Sequence, residues 1–248
     1  MRKNNGVLNV PRTKFHINET RLDSIALEIV WERDKELWRE EVVRKYPVFG
    51  SMQIWNFEEA RKILEHIYVD RQNELLQAQQ RFASWWSGIE IDWYPFLTDI
   101  FDLKNEEDIY YNAHIGIAPI FPRDIEEGSF LVPLYADRQD ILRISAHETS
   151  HFVFYPKLKE VNFTDSPSEK HIWTISEILV PLLFGDKRAI AILGQMPQSS
   201  YMCKQSLIEK YREIYLERVE GKTSAEEFIK CLFEVKIKNE ELDPKYFD

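Results

Sequence analysis

The chain has 248 residues and a formal net charge of −10, with 44% hydrophobic, 13% aromatic and 30% charged residues. That length and apolar content suffice for one large domain or two small ones with a core, and they exclude an intrinsically disordered chain. The acidic surplus argues against a nucleic-acid partner, which requires a concentrated basic face to displace phosphate counterions.

The first segment, MRKNNGVLNVPRTKFHINET, has basic residues but no apolar run long enough for a secretory signal. Nowhere do about 18 apolar residues run uninterrupted, so no membrane span is expected and the cytoplasm is the expected location. Phe15 and Ile17 alternate, as do Ile25, Leu27, Ile29 and Trp31, a period that predicts two short strands. A helix is predicted from about Asp34 to Lys45. Asn56 and Glu59 form a capping box that opens a long helix through Ile63, Leu64, Ile67, Leu75, Leu76 and Phe82. The Trp85-Trp86 pair is assigned to the core.

From Ile109 the runs IYYNAHIGIAPIF and SFLVPLY read as strands joined by the turn-like PRDIEEG. Pro119 and Pro133 imply that at least one of the two is an edge strand, because proline cannot donate to the ladder. A helix follows from about Asp137 or Asp140 to Phe154. Ser166, with Pro167 and Glu169, is expected to open another that runs to Phe184 and stops at Gly185. Two further helices are expected, near Lys204 to Glu220 and from Ala225, the latter capped by Ser224 with Glu227. The two cysteines, Cys203 and Cys231, are too few for a disulfide scaffold and are read as buried thiols. These elements give a helix-rich α+β chain with a small mixed or antiparallel sheet ahead of the Asp137–Phe154 helix. Residues 1–105 form an N-terminal α+β region, a cleft wall or lid. Residues 106–248 form a core with C-terminal helices, and the two regions can equally be one continuous domain.

The segment ILRISAHETSHFVFY carries the chemistry. His147 and His151 are four residues apart in a helix and project from one face, where two imidazoles can bind a single Zn²⁺. Glu148 beside them can polarise a water and move its proton, the arrangement HExxH. A catalytic zinc needs a third protein ligand. A metzincin would place glycine and histidine where Phe154 and Lys157 stand, so that class is excluded. The remaining candidates are Glu160, Asp165, Glu169, His171 and Glu177. Glu177 is favoured because it sits among Ile175, Ile178 and Leu179, where a carboxylate is costly unless paired or metal-bound. Glu169 is better read as a cap, and His171 stays open as a rival ligand or as a transition-state donor. Tyr110, Tyr111, Tyr155 and Tyr201 are further candidates to stabilise an oxyanion. His114 is read as a solvent-facing strand residue, and His16 and His66 are given no role.

HETSH on one helix with a glutamate on a following helix resembles the gluzincin metallopeptidases, over roughly Tyr110 to Phe184. The resemblance implies a zincin-like fold, one Zn²⁺ per chain held by His147, His151 and Glu177, and Glu148 as general base on a peptide or protein substrate. Asn112-Ala113 is similar to the Asn-Ala pair with which thermolysin-like enzymes hold the substrate backbone. The chain departs from the family in three ways. His151 and Glu177 are 26 positions apart, against roughly twenty in thermolysin-like enzymes, Ser176 replaces the usual asparagine before the glutamate, and no GxMEN motif is present. The expected function is therefore zinc-dependent peptide hydrolysis, with His171 as a second catalytic candidate. The alternatives are a catalytically inactive zincin-like binding or regulatory protein, and a helical interaction module in which the motif is accidental.

Overall fold

The computed structural model describes residues 12–18, 20–32, 36–52, 54–103, 109–120, 122–197 and 203–242. Two compact units emerge: one of residues 11–90 and 108–148, the other of residues 1–10, 91–107 and 149–248. The boundaries at Glu90 and Glu148 fall inside helices.

The first unit holds a four-stranded mixed sheet of β1 (Arg12–Ile17), β2 (Tyr110–Gly116), β3 (Arg123–Asp124) and β4 (Ser129–Pro133), in the order β1-β2-β4-β3. β1 and β4 run parallel to β2, and β3 runs antiparallel to β4. Both strands expected from the Ile109–Tyr135 region are therefore interior, and the expected edge strand is not among them. Pro133 is accommodated because it closes β4 beyond the two-residue pairing with β3, and Pro119 lies outside the strands.

Helices α1 (Arg21–Glu32), α2 (Glu36–Lys45), α3 (Phe57–Asp70), the larger part of α4 (Gln72–Phe101) and the first half of α5 (Arg138–Lys159) complete this unit, with a 3-10 turn at Pro47–Ser51. The strand expected across Ile25 to Trp31 is α1. Its buried apolar positions are Ala26, Leu27, Val30 and Trp31, a helical set that the alternation of the larger residues conceals. With Val42, Phe49, Leu64, Ile117 and Leu131 they form one apolar core. Asn56 caps α3 by accepting the Glu59 amide at 3.0 Å, one of the two bonds of the expected capping box. The single long helix expected next is two, broken at Arg71, and the second continues past the tryptophans to Phe101. Trp86 is buried and its indole N–H donates to Thr13 Oγ1 at 3.0 Å.

A buried carboxylate ties this unit together. Asp23 of α1 accepts the Ile117 amide at 2.9 and 3.0 Å, the Ala118 amide at 2.9 Å and the Tyr68 hydroxyl at 2.5 Å. A Cβ on Gly116 would stand 2.5 Å from Asp23 Oδ1, so only glycine lets the chain pass this close. Burial raises the Asp23 carboxyl pKa against the opposing pull of these donors.

The second unit contains the remaining parts of α4 and of α5 (Arg138–Lys159), then α6 (Glu169–Phe184), α7 (Lys187–Leu193), α8 (Gln205–Val219) and α9 (Ala225–Glu234). α6, α8 and α9 pack on one another, with Tyr215 edge-on to Phe228. α6 is buried on every side from Thr174 to Phe184. Its cap is Ser168, not the expected Ser166, so Glu169 is the first helical residue rather than the closing member of a capping box. Ser224 caps α9 as expected, accepting the Glu227 amide at 3.1 Å. α5 extends beyond Phe154 to Lys159 with Pro156 inside it, and α7, capped by Asp186, was not foreseen. Cys203 is buried ahead of α8, while Cys231 is half-buried in α9. Among the described residues no helix is long and apolar enough to cross a membrane.

Candidate metal centre

The Asp137 carboxylate accepts the Asp140 amide at 2.8 Å and so starts α5. From Ile141 to Phe154 every residue of this helix is buried except Arg143 and His147, which are half-buried and one turn apart. The stripe through Arg143 and His147 is thus the side on which the motif meets solvent. His151, one turn further, is 1% exposed. The neighbouring Thr149 is also fully buried, and its hydroxyl accepts the Trp93 indole N–H at 3.1 Å. That bond fixes the rotation of α5 around the motif.

Helix lengths bring the acid to the histidines. His151 lies eight residues before Lys159, the last of α5, and Glu177 eight residues after Glu169, the first of α6. At a rise of about 1.5 Å per residue both travel the same distance from the intervening loop and arrive at one level. The 26 positions between them are thus accommodated by a loop of 160–168 between two equal arms. His151 Nε2 stands 3.5 Å from Glu177 Oε1, and both side chains are 1% exposed. One turn on, the Tyr155 hydroxyl is 3.4 Å from Ser176 Oγ, which itself donates to the Trp173 carbonyl at 2.7 Å.

His147, His151 and Glu177 each offer a ligand atom, and these atoms all lie within 4.8 Å of one another. Two imidazoles and a carboxylate suit a borderline-soft divalent ion. Tetrahedral zinc with bonds of about 2.0–2.1 Å needs ligand atoms about 3.3 Å apart. The His151–Glu177 pair is already close to that value.

Glu148 is buried, with Oε1 at 3.8 Å from His147 Nε2 and Oε2 at 3.5 Å from Arg123 Nη1. Arg123 was not expected here. It lies in β3, where it pairs with Phe130 and so shares the sheet face of Ala113, the partner of Phe130 in β2. The turn after it is fixed by Asp124, whose Oδ1 accepts the amides of Glu126 and Glu127 at 2.9 and 3.0 Å. Gly128 closes the turn at φ +58°. The sequence signal for this turn, an aspartate ahead of two acidic residues and a glycine, was readable. The reach of the arginine to Glu148 was not.

Several other expected site residues lie apart from the metal group. Asn112 is in interior strand β2, one residue off the Arg123 face, and its Oδ1 is 3.0 Å from His16 Nε2. Ala113 is fully buried between Phe15 and Phe130. Because β1 and β4 fill both edges of β2, no free ladder remains there to hold a substrate backbone as in the thermolysin-like arrangement. His171 is not a member of the group. Its amide donates to Ser168 Oγ at 3.3 Å, its ring stands 5.1 Å from that of Phe233, and its buried Nε2 has no hydrogen-bond partner. Burial holds its pKa below the ordinary histidine value.

Of the rival acids, Glu160 pairs with Lys157 at 2.9 Å, and Asp165 and Glu169 are exposed. Tyr110 is exposed beneath Lys14 Nζ, 3.7 Å from its ring centroid. Tyr111 is buried, which pushes its hydroxyl pKa well up. Tyr201 lies outside the described residues. His114 is half-buried with its ring 5.7 Å from that of His16, and His66 is exposed 3.4 Å from Asp70.

Comparison with protein-family models, with curated proteins and with solved structures finds no match.

Proposed function

We propose that the chain is a zinc-dependent hydrolase of peptide bonds, gluzincin-like in its ligand set and zincin-like in its fold. The observation that carries this reading is the convergence of His147, His151 and Glu177 from two helices, with Glu148 buried next to them. A bound Zn²⁺ would supply Lewis acidity to a water and to the scissile carbonyl. His147 and His151 would hold it as neutral imidazoles, and Glu177 would offset part of its charge. Glu148 takes the proton from the attacking water and returns it to the leaving amine. The solvent-facing stripe along Arg143 and His147 is the approach for substrate. Tyr155 is the tyrosine candidate best placed to assist, on the same helix face as His147 and His151, with its ring 6.4 Å from that of His151 and its hydroxyl 3.4 Å from Oγ of the residue before Glu177.

Replacing Glu148 with glutamine keeps the shape of the side chain and removes its basicity. The Glu148→Gln protein should bind zinc at the wild-type stoichiometry and hydrolyse a peptide library about 10²- to 10⁴-fold more slowly. Hydrolysis at the wild-type rate would overturn the mechanism.

A further inference from the structure

The first unit carries a cavity that the hydrolase reading does not use. It has a volume of about 340 Å³, and Lys45, Tyr46, Arg71, Glu74, Arg81 and Tyr135 line it, all within this one unit. Small-molecule sites typically measure roughly 300–1,000 Å³. Lys45 ends α2 and Tyr46 follows it, Arg71 joins α3 to α4, and Tyr135 follows β4. Glu74 and Arg81 flank the buried Leu75, Ala78 and Phe82 of α4, so that helix presents its polar edge to the cavity.

Each of the three cations is held by an aromatic ring. Lys45 Nζ lies over the ring of Tyr135, and the Arg71 guanidinium carbon is 5.4 Å from the ring centroid of Tyr46. The Arg81 guanidinium carbon stands 5.4 Å from the rings of both Phe82 and Trp85. An aromatic face holds a cation in place without cancelling its charge, whereas a carboxylate partner cancels it. The acids here are few and partly solvated. Arg71 meets Glu74 at 2.9 Å with that glutamate 59% exposed, and Lys45 meets Glu41 at 3.3 Å, an acid it shares with Arg44. Among the described residues Arg81 pairs with no carboxylate. Such a cluster stands out in a chain of net charge −10.

The tyrosines add neutral donors. Among the described residues neither the Tyr46 nor the Tyr135 hydroxyl has a hydrogen-bond partner. Burial raises both hydroxyls above the ordinary phenol value, so both keep their proton and can donate it. Two guanidinium forks, an ammonium and two hydroxyls suit a group with several oxygens and two negative charges better than a carboxylate. A second cavity, of about 450 Å³, shares Lys45, Tyr46 and Arg71 and adds the apolar wall of Pro47, Val48, Ile63 and Ile67.

We infer that the two adjoining cavities bind a small organic phosphate. Lys45, Arg71, Arg81 and the two tyrosine hydroxyls take the phosphate, and the apolar wall takes the group that carries it. The site shares no residue with the metal centre and does not depend on the hydrolase reading.

Calorimetric titration of the full chain at about pH 8, where a phosphate monoester carries close to two negative charges, tests this. The probes are phenyl phosphate, inorganic phosphate, benzoate and benzyl alcohol. Phenyl phosphate should bind at least about tenfold more tightly than benzoate or benzyl alcohol. Arg81→Gln should weaken it at least about tenfold, and Arg81→Lys, which keeps the charge without the fork, should retain part of the affinity. Arg81 is exposed, so both variants should melt as the wild type does. Addition of a metal chelator should leave the affinity unchanged, and its loss would put the anion on a metal and overturn the site. Inorganic phosphate binding as tightly as phenyl phosphate would overturn the part given to the apolar wall. Equal binding of phenyl phosphate and benzoate, binding of neither, or an affinity untouched by Arg81→Gln would overturn the inference as a whole.

Discussion

Two buried carboxylates divide this chain's chemistry between them. Asp23 is fully buried in the first unit, and Glu177 is 2% exposed in the second. Around Asp23 the fold supplies donors from its own backbone and a tyrosine, at 2.5 to 3.0 Å, and the result is a tie between α1, α3 and the end of β2. Glu177 instead meets an imidazole at 3.5 Å within a group of three ligand atoms that could hold a metal ion. A buried acid alone therefore says little. Whether it is surrounded by donors or by other ligand atoms decides if it is a structural tie or part of a site.

The comparison can be broken first at Glu177, where the largest effect is expected. Glu177→Gln should weaken zinc binding at least about a hundredfold, since even the loss of a partner outside the ligand set typically costs 10–100-fold. Titration against a competing chelator measures this, and unchanged affinity would remove Glu177 from the ligands. Asp23→Asn, chemically the same change, should act on stability instead. It keeps one acceptor oxygen where two met three donor groups, so chemical denaturation should report a loss of about 1–3 kcal/mol with zinc affinity intact.

A third, smaller effect sharpens the contrast between histidines. His171 has its pKa depressed by burial against Phe233, so the unfolded chain binds its proton more readily than the folded one. Its contribution to stability is present above the ordinary value of 6.5 and is lost as pH falls through and below it. Metal-free protein should lose stability between pH 7 and pH 5, and His171→Phe should lose less over that interval, as followed by thermal unfolding. An unchanged pH slope in the variant would show that His171 does not titrate this way.

Local pattern and distant contact were not equally legible in the sequence. His147 and His151 could be placed on one face because four residues make about one turn, and Glu177 stood out as an acid among Ile175, Ile178 and Leu179. The caps at Asn56 and Ser224 are equally local, and each accepts the amide three residues on. The sheet order was not readable, because β1 pairs with β2 at a separation of 98 positions (Arg12 with Tyr110) and no local rule selects that partner. Arg123 reaching Glu148, Trp93 donating to Thr149, and Asp23 collecting Ile117 and Ala118 are contacts of the same distant kind. α1 was misread for a different reason. Its small buried residue Ala26 carries the helical period, and an eye drawn to Ile25, Leu27, Ile29 and Trp31 sees alternation instead.

The central claim, that His147, His151 and Glu177 hold a metal for catalysis by Glu148, is most directly tested by elemental analysis of protein purified without added metal, beside a His147→Ala/His151→Ala double variant. About one zinc per wild-type chain, lost in the double variant, is the predicted result. Wild-type protein that carries no metal even after zinc is offered would contradict the account.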